Sequence, residues 1–127
     1  MASIVSSYRN ADSLILRVPS DFPNAGFADI PQVNFALNKS LEWKKAKHFF
    51  DESLALKAVH DFTGDVLIVS SGKDRIVPPQ TLANYLAARD GGKLTHIEMG
   101  ESGHGLLTRK EINQFRDIVC ESLGITP

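Results

Sequence analysis

Apolar and polar positions divide the chain into three parts. In the first, Ile4 and Val5 lie within Ser3–Tyr8, which reads as the tail of a helix. Asn10-Ala11-Asp12 reads as a turn. Ser13-Leu14-Ile15-Leu16-Arg17-Val18 is a short apolar run stopped by Pro19. Its length and lack of alternation predict a buried parallel strand. The second part, 19–63, is irregular: Pro19, Pro23, Pro31, Asn24 and Gly26 break any long element before Asn34. Ser40 has the character of an N-cap for a helix carrying Trp43, Ala46, Phe49 and Phe50. A second short helix is expected to hold Leu54, Leu56 and Val59.

The third part, 65–127, has the clearest pattern. Val66-Leu67-Ile68-Val69 predicts a second buried strand, followed by a polar loop from Ser70 to Val77. Pro78-Pro79 opens a helix with Leu82, Tyr85 and Leu86 on one face, closed by Gly91-Gly92. Leu94–Met99 is a third strand. Thr108-Arg109-Lys110-Glu111 has the spacing of a capping box, and the helix after it has an apolar stripe of Ile112, Phe115, Val119 and Leu123. Strands separated by helices predict an α/β fold. We expect a small parallel sheet of about three strands with flanking helices, one C-terminal helix covering each face. Ligand sites in such sheets lie at the carboxyl ends of the strands.

A length of 127 residues suits a single domain. The formal net charge is −1 with no basic block, which argues against nucleic acid or an anionic membrane surface as partner. No apolar run nears the roughly 18 residues of a membrane span, and the first residues do not read as a secretory signal, so a cytoplasmic protein is the default expectation. Cys120 is the only cysteine, which leaves no internal disulfide. On the last helix it reads as a small buried hydrophobe. No metal site or cofactor is expected, since His60 and His96 have no companions at ligand spacing. His48 is expected to pack at the edge of a helix. Lys44, Lys45 and Lys47 are expected to form a solvated helix face. Trp43, Phe49, Phe50 and Phe62 suit either packing of this region or the lining of an acyl pocket.

Two loops at the carboxyl edge of the sheet carry candidate chemistry. Asp74 follows the second strand and His104 the third. Adjacent strands lie about 4.8 Å apart, so these loops can bring an aspartate to a histidine. An Asp accepting from imidazole fixes the tautomer and stabilises the imidazolium. Gly103 and Gly105 flank His104, which leaves the backbone open to positive φ. The alternatives are ordinary: an Asp in a strand-to-helix loop often caps a turn, and a His between glycines is often a solvated loop residue.

The stretch Asp65–Gln80, DVLIVSSGKDRIVPPQ, resembles the strand and acid loop of the α/β-hydrolase superfamily. Gly72, Asp74, Val77, Pro78 and Pro79 occupy the G-x-D-x-x-V-P-P positions of that pattern. Leu94–Leu106, LTHIEMGESGHGL, resembles the last strand and histidine loop of the same family. The resemblance extends over nearly the whole chain as the C-terminal half of that fold. It implies that Asp74 is the triad acid and His104 the triad base. It also makes 19–63, chiefly from about Asn34 to Phe62, a lid- or cap-like insertion within a single partial domain, 1–127. The family order is Ser, then Asp or Glu, then His, with the serine on a G-x-S-x-G elbow. No such motif occurs in these residues. Ser3, Ser6 and Ser7 lack the glycines of an elbow, and Ser70, Ser71 and Ser102 read as turn residues.

The expectation is therefore a chain with acid and base but no nucleophile, inactive alone, related to enzymes that hydrolyse esters, thioesters or amides. Without the neighbouring strand, Leu14-Ile15-Leu16 would form an uncovered edge. That predicts association, as a homodimer or with a separate N-terminal half supplying the serine. The alternative is a non-catalytic remnant that serves as a dimeric or interaction module. A flavodoxin-like binding domain ranks last, because no glycine-rich phosphate loop follows a first strand.

Overall fold

A computed structural model describes residues 11–21, 23, 41–89 and 92–127. Three strands, β1 (Ser13–Arg17), β2 (Asp65–Ser71) and β3 (Leu94–Met99), form one parallel sheet in the order β1-β2-β3. Three helices are α1 (Leu54–Asp61), α2 (Pro79–Ala88) and α3 (Arg109–Leu123). A helical segment at 41–45 and a 3-10 turn at Phe50–Glu52 precede α1. The fold is α/β, a small three-stranded parallel sheet with flanking helices. The Ser3–Tyr8 helix tail, Ser40 and Gly91, and most of 19–40, lie outside the described residues.

β2 is central and buried from Val66 to Ser71, because both of its faces are covered. On one face, Leu14, Leu16, Val66 and Ile68 pack with Leu56, Val59 and Phe62 from α1 and its end, and with Tyr85 and Ala88 of α2. On the other, Leu67, Val69 and Met99 pack with Ile15, Ile97, Leu106 and with Phe115 and Ile118 of α3. The expectation of a C-terminal helix on each face holds.

The α3 stripe is rotated from the one the sequence predicts. Phe115 and Ile118 reach the sheet, whereas Ile112 and Leu123 stay 48% and 43% exposed. Its capping box forms between Thr108 and Glu111, and Gly124 closes the helix at φ 67°, where its amide donates to Cys120 O and Glu121 O. Cys120 is buried, as its character suggests.

The helix expected to carry Trp43, Ala46, Phe49 and Phe50 stops at 45. Side chains of α2 take over the backbone groups that a longer helix would have used. Thr81 Oγ1 donates to Lys44 O (2.8 Å), Asn84 Nδ2 to Ala46 O (2.9 Å), and His48 N donates to Asn84 Oδ1 (3.2 Å). Tertiary hydrogen bonds here override local helix propensity. Lys44, expected to be solvated, is buried; desolvation lowers its pKa, opposed by nearby Asp21. The four aromatic residues do not line one pocket: Phe62 is in the core, Trp43 stacks on His48 (3.7 Å), Phe50 stacks on His60 (3.7 Å) and Phe49 is exposed.

β1 ends abruptly. Val18 still donates its amide to Val69 O (2.9 Å), but at φ 40° it turns the chain out of the sheet. Pro19 then has no N–H with which to continue the ladder. Two residues on, Asp21 is almost fully buried and accepts from Trp43 Nε1 (2.9 Å) and Ser53 Oγ (2.6 Å). Tyr85 donates to Ser20 O (2.8 Å). These bonds fasten the segment after β1 to α1 and α2.

Candidate active site

The acid loop and the histidine loop leave β2 and β3 side by side, since Ser71 is in register with Met99. The backbone then zips them together. Gly72 N donates to Met99 O (3.0 Å) and Lys73 N to Ser102 O (3.0 Å). The two backbones approach closely at Gly72, where a Cβ would lie 2.5 Å from Gly100 O. Only a glycine allows that approach. Lys73 and Glu101 add an exposed ion pair (2.6 Å), of small energetic weight.

Past this contact, Asp74 folds back on its own loop. Its Oδ1 accepts from Ile76 N (2.8 Å) and Val77 N (3.0 Å). Its Oδ2 lies 3.1 Å from His104 Nδ1. The carboxylate side chain is 8% exposed and the imidazole 42%. Burial works against the charged carboxylate, but the Val77 and Ile76 amides and then His104 outweigh it, holding the Asp74 carboxyl below its ordinary pKa. Asp74 thus does what a turn residue does with one oxygen and meets the histidine with the other.

The sequence reading assigned no role to Arg17. From the end of β1 its guanidinium donates to His104 O (2.6 Å), Gly103 O (3.2 Å) and Ser71 Oγ (3.3 Å). Desolvation lowers its pKa, opposed by Asp74 and Glu111. The available signal was a charged residue closing an otherwise apolar strand. Gly103 and Gly105 were expected to permit positive φ; among the described residues only Gly124 and Val18 adopt it. Hydrogen bonds to the loop carbonyls, rather than left-handed backbone, shape the turn around His104.

The other candidate serines are placed differently. Ser70 Oγ pairs with His96 Nε2 (2.8 Å) within the sheet, and Ser102 is buried in the histidine loop. Ser3, Ser6 and Ser7 lie outside the described residues. Among the described residues no group of three or more His, Cys, Asp or Glu side chains is placed to hold a metal ion. Among them, too, no helix is long and apolar enough to cross a membrane.

No protein-family model matches the sequence, and no curated protein matches it. Five chains of solved structures do. One is a serine-to-alanine mutant of puromycin hydrolase complexed with PGG, similar over 91% of this chain with a TM-score of 0.50 and 16% identity. The fold is hydrolase-like. The present chain spans 19% of the length of that puromycin hydrolase chain, and at this identity the likeness is one of fold.

An aspartate and a histidine so arranged are able to perform acid–base chemistry. When Nδ1–H donates to Asp74, the lone pair of the neutral ring resides on Nε2. The carboxylate then stabilises the ring once Nε2 has taken a proton. A ring held in this way is able to accept a proton at Nε2.

Proposed function

We propose that these residues form the acid–base portion of a serine hydrolase acting on an ester, thioester or amide. His104 is the general base and Asp74 the acid that orients it. The nucleophilic serine is contributed by polypeptide outside the 127 residues. The observation that carries this reading is the Asp74–His104 contact at the carboxyl edge of two adjacent parallel strands. The hydrolase-like fold supports it.

The test is a fluorophosphonate probe applied to the protein isolated with its native associated polypeptide, read by intact mass. The expected result is a single adduct on a serine outside residues 1–127, lost in His104→Ala. No adduct on any polypeptide of the assembly would overturn the catalytic reading. An adduct mapping within the 127 residues would overturn the assignment of the nucleophile to another segment.

A second reading, a non-catalytic module that associates through its sheet, is favoured by β1. Among the described residues this strand pairs only with β2, and an open strand edge invites another chain. In this reading a second copy of the chain satisfies it. Sedimentation of the purified chain as a monomer at micromolar concentration would count against self-association.

A further inference from the structure

The pair described above explains what holds the His104 ring, but not what holds the loop that presents it. We propose that Arg17 is the positioning residue for His104. The inference rests on the reading of His104 and Asp74 as a working pair. Gly103 O and His104 O belong to the two peptide planes on either side of the His104 Cα. Arg17 donates to both, at 3.2 and 2.6 Å. Each peptide unit is planar, so fixing both planes fixes φ and ψ between them and with them the direction in which Cβ leaves the chain. The imidazole is left with only its own side-chain rotations, and Asp74 selects one of them.

Arg17 is itself well fixed. It extends from a strand in register with the centre of the sheet, Arg17 opposite Val69. The same nitrogen that reaches Gly103 also reaches Ser71 Oγ on β2, and the guanidinium carbon lies 5.9 Å from the centre of the Phe115 ring on α3. A planar fork with several fixed donors suits this task, whereas an ammonium on a flexible stem does not hold two carbonyls in one geometry. β1 thus positions a site whose two paired side chains come from the loops after β2 and β3.

The experiment is NMR of the His104 ring in the full chain. The Nδ1–H proton is assigned by its disappearance in Asp74→Asn, and its exchange with water is compared with that of the β2 amides. In Arg17→Met we expect ring-proton exchange to accelerate by about tenfold or more, as loss of charged hydrogen bonds implies, with β2 amide protection unchanged. Arg17→Lys falls in between. If Arg17→Met does not fold, Arg17→Lys decides: faster ring exchange in the folded protein supports the proposal. Unchanged ring exchange in a folded variant, or ring and β2 amides loosening in parallel, would overturn it. The readout is the imidazole and not turnover, so failure of the hydrolase reading in the probe experiment would leave this result distinct.

Discussion

Asp74 and His104 are 30 positions apart in the chain and 3.1 Å apart in space. The contact depends on three layers of structure: parallel pairing of β2 with β3, the Gly72–Gly100 approach, and the two amides that turn Asp74 toward the histidine.

The Asp74 carboxyl has a depressed pKa in the folded state. A group of this sign contributes stability that is present above its unfolded pKa, about 4, and is lost as the pH falls through the lower folded value. In urea titrations, wild type should be more stable than Asp74→Asn at about pH 5, and the gap should narrow as the pH falls below the ordinary carboxylate range. Parallel pH profiles for the two proteins would show that Asp74 gains nothing from ionisation in the fold.

Gly72→Ala should destabilise the protein by about 2–3 kcal/mol, because its Cβ meets backbone rather than a movable side chain. Gly103→Ala is the control. Its Cβ would meet only Lys73 O at 3.7 Å, and its φ is not in the left-handed region. A change within about 0.5 kcal/mol is expected there. Equal losses in the two variants would mean that the loop contact is not what Gly72 provides.

Arg89 is buried where α2 ends and ties neighbouring turns together. It donates to Val59 O (3.3 Å), Gly64 O (2.6 Å), Phe62 O and Lys93 O (3.4 Å). Arg89→Met removes this common donor from carbonyls of the α1–β2 connection. A loss of at least about 3 kcal/mol in urea unfolding is expected, with little recovery in Arg89→Lys. A loss under about 1 kcal/mol would indicate that water serves those carbonyls equally well.

Asp21 binds Trp43, the single tryptophan, so fluorescence reports directly on this junction. Asp21→Ala leaves the part-buried indole N–H and the buried Ser53 hydroxyl without their acceptor. We expect a shifted emission maximum and a loss of about 2–4 kcal/mol. An unchanged spectrum would remove Asp21 from the set of residues that anchor the segment after β1.

By itself the sequence determined the sheet and both members of the candidate pair. Six consecutive buried positions in β2, from Val66 to Ser71, reflect a strand covered on both faces, and most of that run is visibly apolar. Pro78, Thr108 and Glu111 mark helix starts through local stereochemistry and local hydrogen bonds, which sequence spacing records. Asp74 and His104 stood out because strand ends can be located from pattern alone. Tertiary structure decided the remainder. The helix before α1 stops at 45 because Thr81 and Asn84, some 37 positions on, capture its carbonyls. The α3 stripe turns toward Phe115 and Ile118 because the sheet surface, not helical periodicity, chooses which apolar residues it accepts. Arg17 is 87 positions from the carbonyl it holds most closely. A hydrogen bond to a backbone carbonyl leaves no mark on the residue that supplies the carbonyl, so no pattern in the sequence pairs Arg17 with Gly103 and His104.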